Sequence, residues 1–488
     1  MSSATPISNA FTSNTCTPKE QTVILHIAKK EILEMRKDGR FQAASAIVLG
    51  LLCLSVAIGW QQYRAINLQH EQARAQTREQ WLAQGKKNPH SAAHYGVYAF
   101  KPKSPLSLID RGADNYTGVA VWLEAHKQNE FKYKPARDAN TLARFGELTA
   151  SSVLQLLLPL LIILMSFSAF AGEREQGTLR LLLSMGVPRP QLALGKALGI
   201  AGGLGMLLIP AAVLGSAALL LASENGAFGA MLPRLGWMSA SYLLYFIAFI
   251  GLSLTVSAMA KSARLALVCL LGFWIFNGLA APRLMSDLSR SVYRTPSSLE
   301  FSREMEKAMR KGNDPKELER RVLAEYKVAK IEDLPVNFQG IALHEGEEHG
   351  NKIYDAMFGK LWDTFEAQNQ FQQKGAVLAP MLAIRSVSMG MSGTDFAHFR
   401  DFSEAAEQYR RYFIGVMNDD VKLNPKSKER GYMADDALWA QVKPFAYESP
   451  AVSQVVSQQA SGLGILAAWA IAASLAAGYA SSRRLEAE

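Results

Sequence analysis

Six stretches of this chain contain no Asp, Glu, Lys or Arg: Phe41–Trp60, Leu148–Gly172, Ala197–Ala222, Leu235–Ala260, Leu265–Pro282 and Ala451–Ser482. A helix rises about 1.5 Å per residue and a bilayer core is about 30 Å thick, so about 20 apolar residues cross it. Five windows reach that length, and Leu265–Pro282 falls just short at 18 residues. One such window is compatible with a buried core helix of a soluble protein; six together define a polytopic membrane protein. The average composition, 49% hydrophobic and 19% charged, conceals this because the charges are segregated. A cleaved signal peptide is not expected, because the first window follows a long polar lead and no clear small-residue cleavage site comes after it.

Orientation follows from short loops, where Lys and Arg favour the cytoplasm. Lys19, Lys29, Lys30, Arg36, Lys37 and Arg40 precede the first window. Arg174, Arg180, Arg189 and Lys196 lie between the second and third, Lys261 and Arg264 between the fourth and fifth, and Arg483 and Arg484 after the last. The opposite short loop, Ser223–Arg234, has one basic residue. Both termini are therefore expected in the cytoplasm. Two long segments, 61–147 and 283–450, are expected outside. The net charge of +9 reads as topology plus attraction to anionic lipid rather than nucleic-acid binding. Cys16 falls in the leader and Cys53 and Cys269 in spans, so disulfides cannot stabilise the outer segments.

The expected fold is all-α: six transmembrane helices, an interfacial helix before them, and a largely helical extracytoplasmic domain built from two insertions. Residues 1–18 are rich in Ser, Thr and Asn and read as a disordered leader. Residues 19–40 form an amphipathic helix with Leu25, Ala28, Ile32 and Met35 along one stripe, suited to the membrane interface. The first span should continue as a stalk to Gln84, because no Gly or Pro interrupts it. Residues 85–114 read as loops. In the second insertion Asp314 before Pro315 is a helix start, and helical patterns cover about 346–373 and 395–418. Residues 483–488 form a short tail.

No window contains Asp, Glu, Lys, Arg or His, whereas ion-coupled transporters need such groups at depth. Gln155, Asn277, Gln458 and Gln459 read instead as helix-packing contacts. A phosphate-binding G-x-x-x-x-G-K-[ST] loop is also missing, since "LALGKALG" lacks the spacing and the hydroxyl residue. The chain is therefore not expected to hydrolyse ATP or to be an enzyme by itself. Gly199 and Gly203, four apart, have the spacing of a close helix contact, although glycine in a span is more often merely tolerated.

The charged island Ala171–Lys196 resembles the first cytoplasmic loop of type-2 ABC transporter permeases. Glu173, Arg174, Glu175, Gly177, Thr178 and Leu179, then "LLLS", Arg189 and Gly195-Lys196 carry the resemblance. One departure is "MGVPRP", where relatives more often show a Pro-Val-Ser-Arg pattern. The segment "SGTDFAHFRDFSEAAEQYRRYFIGVMND", with Asp395, His398, Phe402, Glu407, Tyr409, Arg410 and Asn418, resembles an extracytoplasmic insertion of unknown function found in a subgroup of that family. The resemblance implies two ATP-binding subunits, which hold ATP and Mg2+, and a second permease copy or paralogue. It implies no cofactor on this chain. The island would then be where the ATP-binding subunit docks.

"HEGEEHG", His344–Gly350, invites a zinc-enzyme reading, yet that signature needs histidines four apart and these are five apart. Pairs such as His344 with Glu348, or Glu345 with His349, leave at most a two-ligand metal site. Three functions are thus compared: the permease subunit of an ATP-driven transporter, a mechanotransmitter acting on a periplasmic partner without flux, and a membrane-anchored metal enzyme.

Overall fold

The computed structural model describes residues 18–132, 134, 148–223, 227–311, 314–429 and 431–484. The leader to residue 17, Cys16 with it, the stretch 135–147 and the tail from 485 lie outside the described residues. Helix α1 (Pro18–Lys37) ends at Asp38, whose carboxylate accepts the Arg40 N–H and starts α2 (Gly39–Leu82). At 44 residues α2 is about 66 Å long, so it crosses a bilayer and continues well beyond it as a stalk.

Beyond the stalk come α3 (Pro89–Tyr95) and a three-stranded antiparallel sheet: β1 (Val97–Phe100), β2 (Ala120–Glu124) and β3 (Lys127–Gln128). Val97 pairs with Leu123 and Phe100 with Ala120. The region expected to be loops therefore holds a helix and a strand. Its strand is four residues long and its partner lies some 20 residues on, too short and too distant for alternation to reveal.

The remaining spans are α4 (Ala150–Glu175), α6 (Arg189–Ala222), α7 (Ala227–Met259), α8 (Ala263–Val292) and α15 (Ala460–Arg484). With α2 they make six helices long and apolar enough to cross a membrane. Between α4 and α6 lies the short helix α5 (Thr178–Ser184). Gly177 precedes it at φ 73°, a left-handed turn that glycine enters without strain. The large second insertion contains α9 (Ser298–Met309), α10 (Pro315–Tyr326), α11 (Phe338–Lys374), α12 (Pro380–Ser392) and α13 (Phe396–Leu423), with α14 (Val452–Gln458) leading back to α15. Asp314 caps α10 through the Lys316 N–H.

Not all of this insertion stands clear of the spans. Helix α12 packs against α7 and α15, and Met381, Ala383, Ile384, Val387 and Met391 are all buried. Two wide π turns, Val153–Leu157 and Phe276–Ala280, aim Gln155 and Asn277 at it. Gln155 donates to Tyr242 Oη at 3.0 Å, and Asn277 Oδ1 accepts the Met381 N–H at 3.0 Å. Carbonyls of the first π turn are satisfied by the Tyr245 hydroxyl and the Trp274 indole N–H, as a buried backbone requires. Gln155, Asn277 and Gln459 are buried packing contacts, whereas Gln458 is exposed.

The far end of the molecule has its own core. Trp81 at the stalk tip is 1% exposed and packs edge-on against Phe413 and Trp439. Its indole donates to the Trp439 carbonyl, and Arg78 donates to the Val442 carbonyl. The stalk is thus pinned to the distal domain at its tip.

Candidate functional site: two polar junctions at the ends of the bundle

The first junction lies at the end of the bundle carrying both termini. Helix α1 rests in a groove of α6 made by glycines. A Cβ on Gly195 would come within 2.7 Å of Ile27 Cβ, and one on Gly199 within 2.5 Å of Glu31 Cβ. A Cβ on Gly203 would come within 3.0 Å of Met35 Sδ. These glycines are required for close approach rather than merely tolerated; Ala28, Ile32 and Met35 of the expected stripe face α6, and Ile24 takes the place of Leu25. Ile24, Ala28 and Met35 are buried, while Leu25 is 64% exposed.

That seating brings charges together. The Lys196 ammonium, almost wholly buried, donates to Glu31 at 2.7 Å and to Glu173 at 2.9 Å, and lies 5.7 Å over the Phe170 ring. Lys30 reaches the same Glu173 oxygen at 3.3 Å. The next residue, Arg174, donates to the Ala258 and Ala260 carbonyls at 3.0 and 2.7 Å and so caps the end of α7. Glu175 accepts the Ala263 N–H at the start of α8. Ser257 Oγ accepts the Phe170 and Ala171 N–H groups. Three consecutive side chains therefore tie α1 and α6 to the end of α7 and the start of α8.

The sequence-predicted residues divide by role. Glu173, Arg174 and Glu175 face inward as ties. Leu179 is buried beneath α5, Thr178 donates back to the Glu173 carbonyl, and Arg189 opens α6. The outward face of α5 carries Leu181 at 60% and Met185 at 63% exposure, four residues apart on one side. Sequence reasoning singled out Lys196 and the "LLLS" run only as matching residues of the loop and Lys30 only as a topology-setting cation, and it passed over Met185 and Glu31. Leu181 and Met185 had a signal, apolar residues within a charged loop. The ion cluster had none, since its members come from separate helices.

The second junction lies at the opposite end. All seven residues of the distal motif fall on α13 or its cap. Asp395 accepts the His398 backbone N–H at 3.0 Å and pairs with His398 Nδ1 at 2.6 Å. Burial would raise the Asp395 carboxyl, but His398 holds it below its ordinary value. His398 Nε2 lies 3.3 Å from Arg234, near the start of α7, and Arg234 also donates to the Pro450 carbonyl. Gln459, just before α15, donates to Asp395 at 3.3 Å. The foot of α13 is thereby tied to two spans.

Higher on α13, Arg410 is 1% exposed and donates to Glu407, Glu347 and the Asn351 side-chain carbonyl. Burial opposes its charge, yet the two carboxylates raise its pKa further. For Glu347 burial is outweighed by hydrogen bonds from His126 and Arg410, which bring it to about 2. Phe402 packs against Phe131, Phe445 and Tyr447. Tyr409 donates to the Lys443 carbonyl, and Asn418 is buried. The motif is the internal frame of the distal domain.

The His344–His349 segment lies in the first third of α11. Glu345 pairs with Arg321 at 2.7 Å, and Glu348 accepts from Asn351. Among the described residues, three metal-competent ligand atoms converge at His90, His94 and His126, and none of the segment's residues belongs to that group. An apolar cavity of ≈ 700 Å³ opens between α2, α6 and α7, lined by Trp60, Leu208, Leu221, Met238 and Phe246 among others.

Comparison with known proteins places this architecture. Residues 25–292, more than half of the chain, match the ABC-2 family transporter proteins, and residues 298–448 match a domain of unknown function, DUF3526. A relative from Pseudomonas aeruginosa, described as a probable ABC transporter permease protein NosY, is 36% identical over 128 residues. That stretch is 26% of this chain and 46% of the relative, so the chain spans about half the length of the curated relative it matches.

Proposed function

Because the chain belongs to the ABC-2 family of transporter proteins, we propose that it is the membrane permease subunit of an ATP-driven transporter. ATP and Mg2+ are bound by a separate ATP-binding subunit, present in two copies, and a second permease copy or paralogue completes the assembly. The cargo is exported or extracted. The observation that carries this reading is the first junction: residues 173–175 tie four helices together while Leu181 on α5 and Met185 just past it stay bare. An apolar, unpaired face on a rigidly tied helix accepts a push without burying unpaired charge. The junction therefore faces the cytoplasm in this reading, and the distal domain faces the periplasm.

The pinned 44-residue stalk favours a second reading, in which the distal domain is driven against a periplasmic partner without flux. The test is co-expression with the candidate ATP-binding subunit. Leu181→Asp with Met185→Asp should abolish co-purification while the chain still folds, whereas Arg174→Ala should keep binding and lose ATP-dependent function. Retained co-purification of the double variant would end the docking assignment. ATP-dependent uptake of cargo by inside-out vesicles selects transport; partner remodelling with no uptake selects the mechanical reading.

A further inference from the structure

Three imidazoles meet on the surface of the distal domain. His90 and His94 are four residues apart on α3, which puts both rings on one face, and their Nε2 atoms are 3.2 Å apart. His126 occupies the turn between β2 and β3, with its ring centre 5.1 Å from that of His90 and 5.2 Å from that of His94. One ligand nitrogen from each ring lies within 4.8 Å of the others. His126 has φ 62°, a left-handed conformation that a side chain of this size adopts at a cost and that clusters at functional positions.

We propose that His90, His94 and His126 bind one divalent cation of the Zn2+ type, with three imidazole ligands and a fourth position open to solvent. Tetrahedral zinc with bonds of about 2.0–2.1 Å sets its ligand nitrogens about 3.4 Å apart, and the His90–His94 pair already has close to that spacing. His126 is oriented from behind: its Nδ1 pairs with Glu347 Oε1 at 2.7 Å, which leaves Nε2 as the ligand atom. A carboxylate on the far nitrogen of a ligating histidine is the usual second layer of such sites. Glu347 is itself fixed by Arg410, so the arrangement is anchored in the distal core.

His90 Nδ1 is buried with no hydrogen-bond partner, and the hydrogen-bond contact its ring makes is that of Nε2 with His94, the pair that would face the ion. His94 and His126 are exposed, so ions have access and water can fill the fourth position. An all-nitrogen set favours Zn2+, Cu2+ or Ni2+ over Mg2+ and Ca2+, which require oxygen donors. Occupancy would tie α3 to the β2–β3 turn and, through Glu347, to α11.

The experiment uses the full chain in detergent, with any affinity tag removed and metal stripped, titrated with Zn2+ and read by bound metal per chain and by competition with a chromophoric chelator. The expected result is one Zn2+ per chain. His94→Ala, which removes an exposed ring and leaves the core intact, should weaken binding at least tenfold, and the triple alanine variant should lose it. Glu347→Gln should weaken it about 10–100-fold. Co2+ in place of Zn2+ should give the visible bands of a tetrahedral nitrogen site in the parent chain and none in His94→Ala. His344→Ala with His349→Ala should change nothing. No binding by the stripped chain at micromolar Zn2+, or unchanged affinity in His94→Ala, overturns the assignment.

Discussion

Replacing Lys196 with Met removes the cation at the centre of the first junction with little change in side-chain length. Its ammonium is 2.7 Å from Glu31 and 2.9 Å from Glu173, and each carboxylate side chain is only 13% exposed. Without it, both depend on Lys30, which is 47% exposed and reaches Glu173 alone of the two, at 3.3 Å. Breaking a buried ion pair costs about 3–5 kcal/mol because a desolvated charge is stranded. Partial exposure and the remaining Lys30 reduce this to about 2–4 kcal/mol, which is about a 30- to 1,000-fold increase in opening at about 1.4 kcal/mol per decade. The opening is the lifting of α1 from α6. Amide exchange of residues 22–37, measured on the full chain in nanodiscs, reads it directly. Adding Glu31→Gln and Glu173→Gln removes the stranded charges and should restore most of the protection. If the single substitution leaves exchange unchanged, or the triple variant opens further than the single, the ion cluster does not hold α1 and the argument fails.

Gly195→Ala with Gly199→Ala places two methyl groups against Ile27 and Glu31; overpacking of about 1–3 kcal/mol should free α1 in the same exchange assay while the spans stay protected. Trp81→Ala should cost about 3–5 kcal/mol, seen as loss of near-ultraviolet circular dichroism from the distal domain at a lower temperature than in the parent. Asp114 pairs with Lys101 and Lys103, all three nearly buried. Burial would raise its carboxyl, but the two ammonium groups hold it below its ordinary value. Its contribution is therefore complete above the unfolded value of about 4 and is lost as pH falls through the lower folded value. Asp114→Asn should cost about 3–5 kcal/mol at neutral pH and flatten the acid limb of a pH-dependent thermal melt. An acid limb as steep as the parent's would remove Asp114 from its cause.

The spans were legible because a bilayer imposes its thickness on the chain and sweeps charge out of it, leaving a signal about 20 residues long that no other arrangement produces. The stalk was legible for a related reason, since nothing between Gln61 and Leu82 can stop a helix. Helix α12 was not. Its 13 residues are uncharged apart from Arg385, too short to span, and only the pockets left by α7, α8 and α15 draw it in. The stripe on α1 was misplaced at Leu25 because periodicity fixes a helical face only approximately. What seats the helix is the glycine groove of a span some 170 residues on. The distal motif was legible as a set of residues and not as a frame, because Arg410 needs Glu347 and Asn351, 63 and 59 residues away. His90 and His94 carried a local signal, the four-residue spacing that "HEGEEHG" lacks. His126, the third member, is brought in only by the hairpin.

Helix α7 is held by polar side chains at both of its ends. Near its start, Arg234 holds His398 and the Pro450 carbonyl; at its end, the Ala258 and Ala260 carbonyls are held by Arg174. The two attachments are 26 residues apart along one helix, about 39 Å. Between them the helix is packed along its length against α15, and Met238, Tyr242, Tyr245, Phe249 and Leu254 are buried. A helix closely packed in this way moves as a body and bends little, because interiors packed to crystal-like density do not deform continuously. On the proposed docking, a displacement of Arg174 is therefore delivered at His398 as a shift or tilt of one rod. Arg234→Ala separates the ends of that path. It should leave assembly with the ATP-binding subunit and ATP turnover near the parent level, because the first junction is untouched, while ATP-dependent changes in distance between α13 and the bundle, read by spin labels, should disappear. Unchanged distance changes in Arg234→Ala would mean that α2 or α15 carries the motion alone.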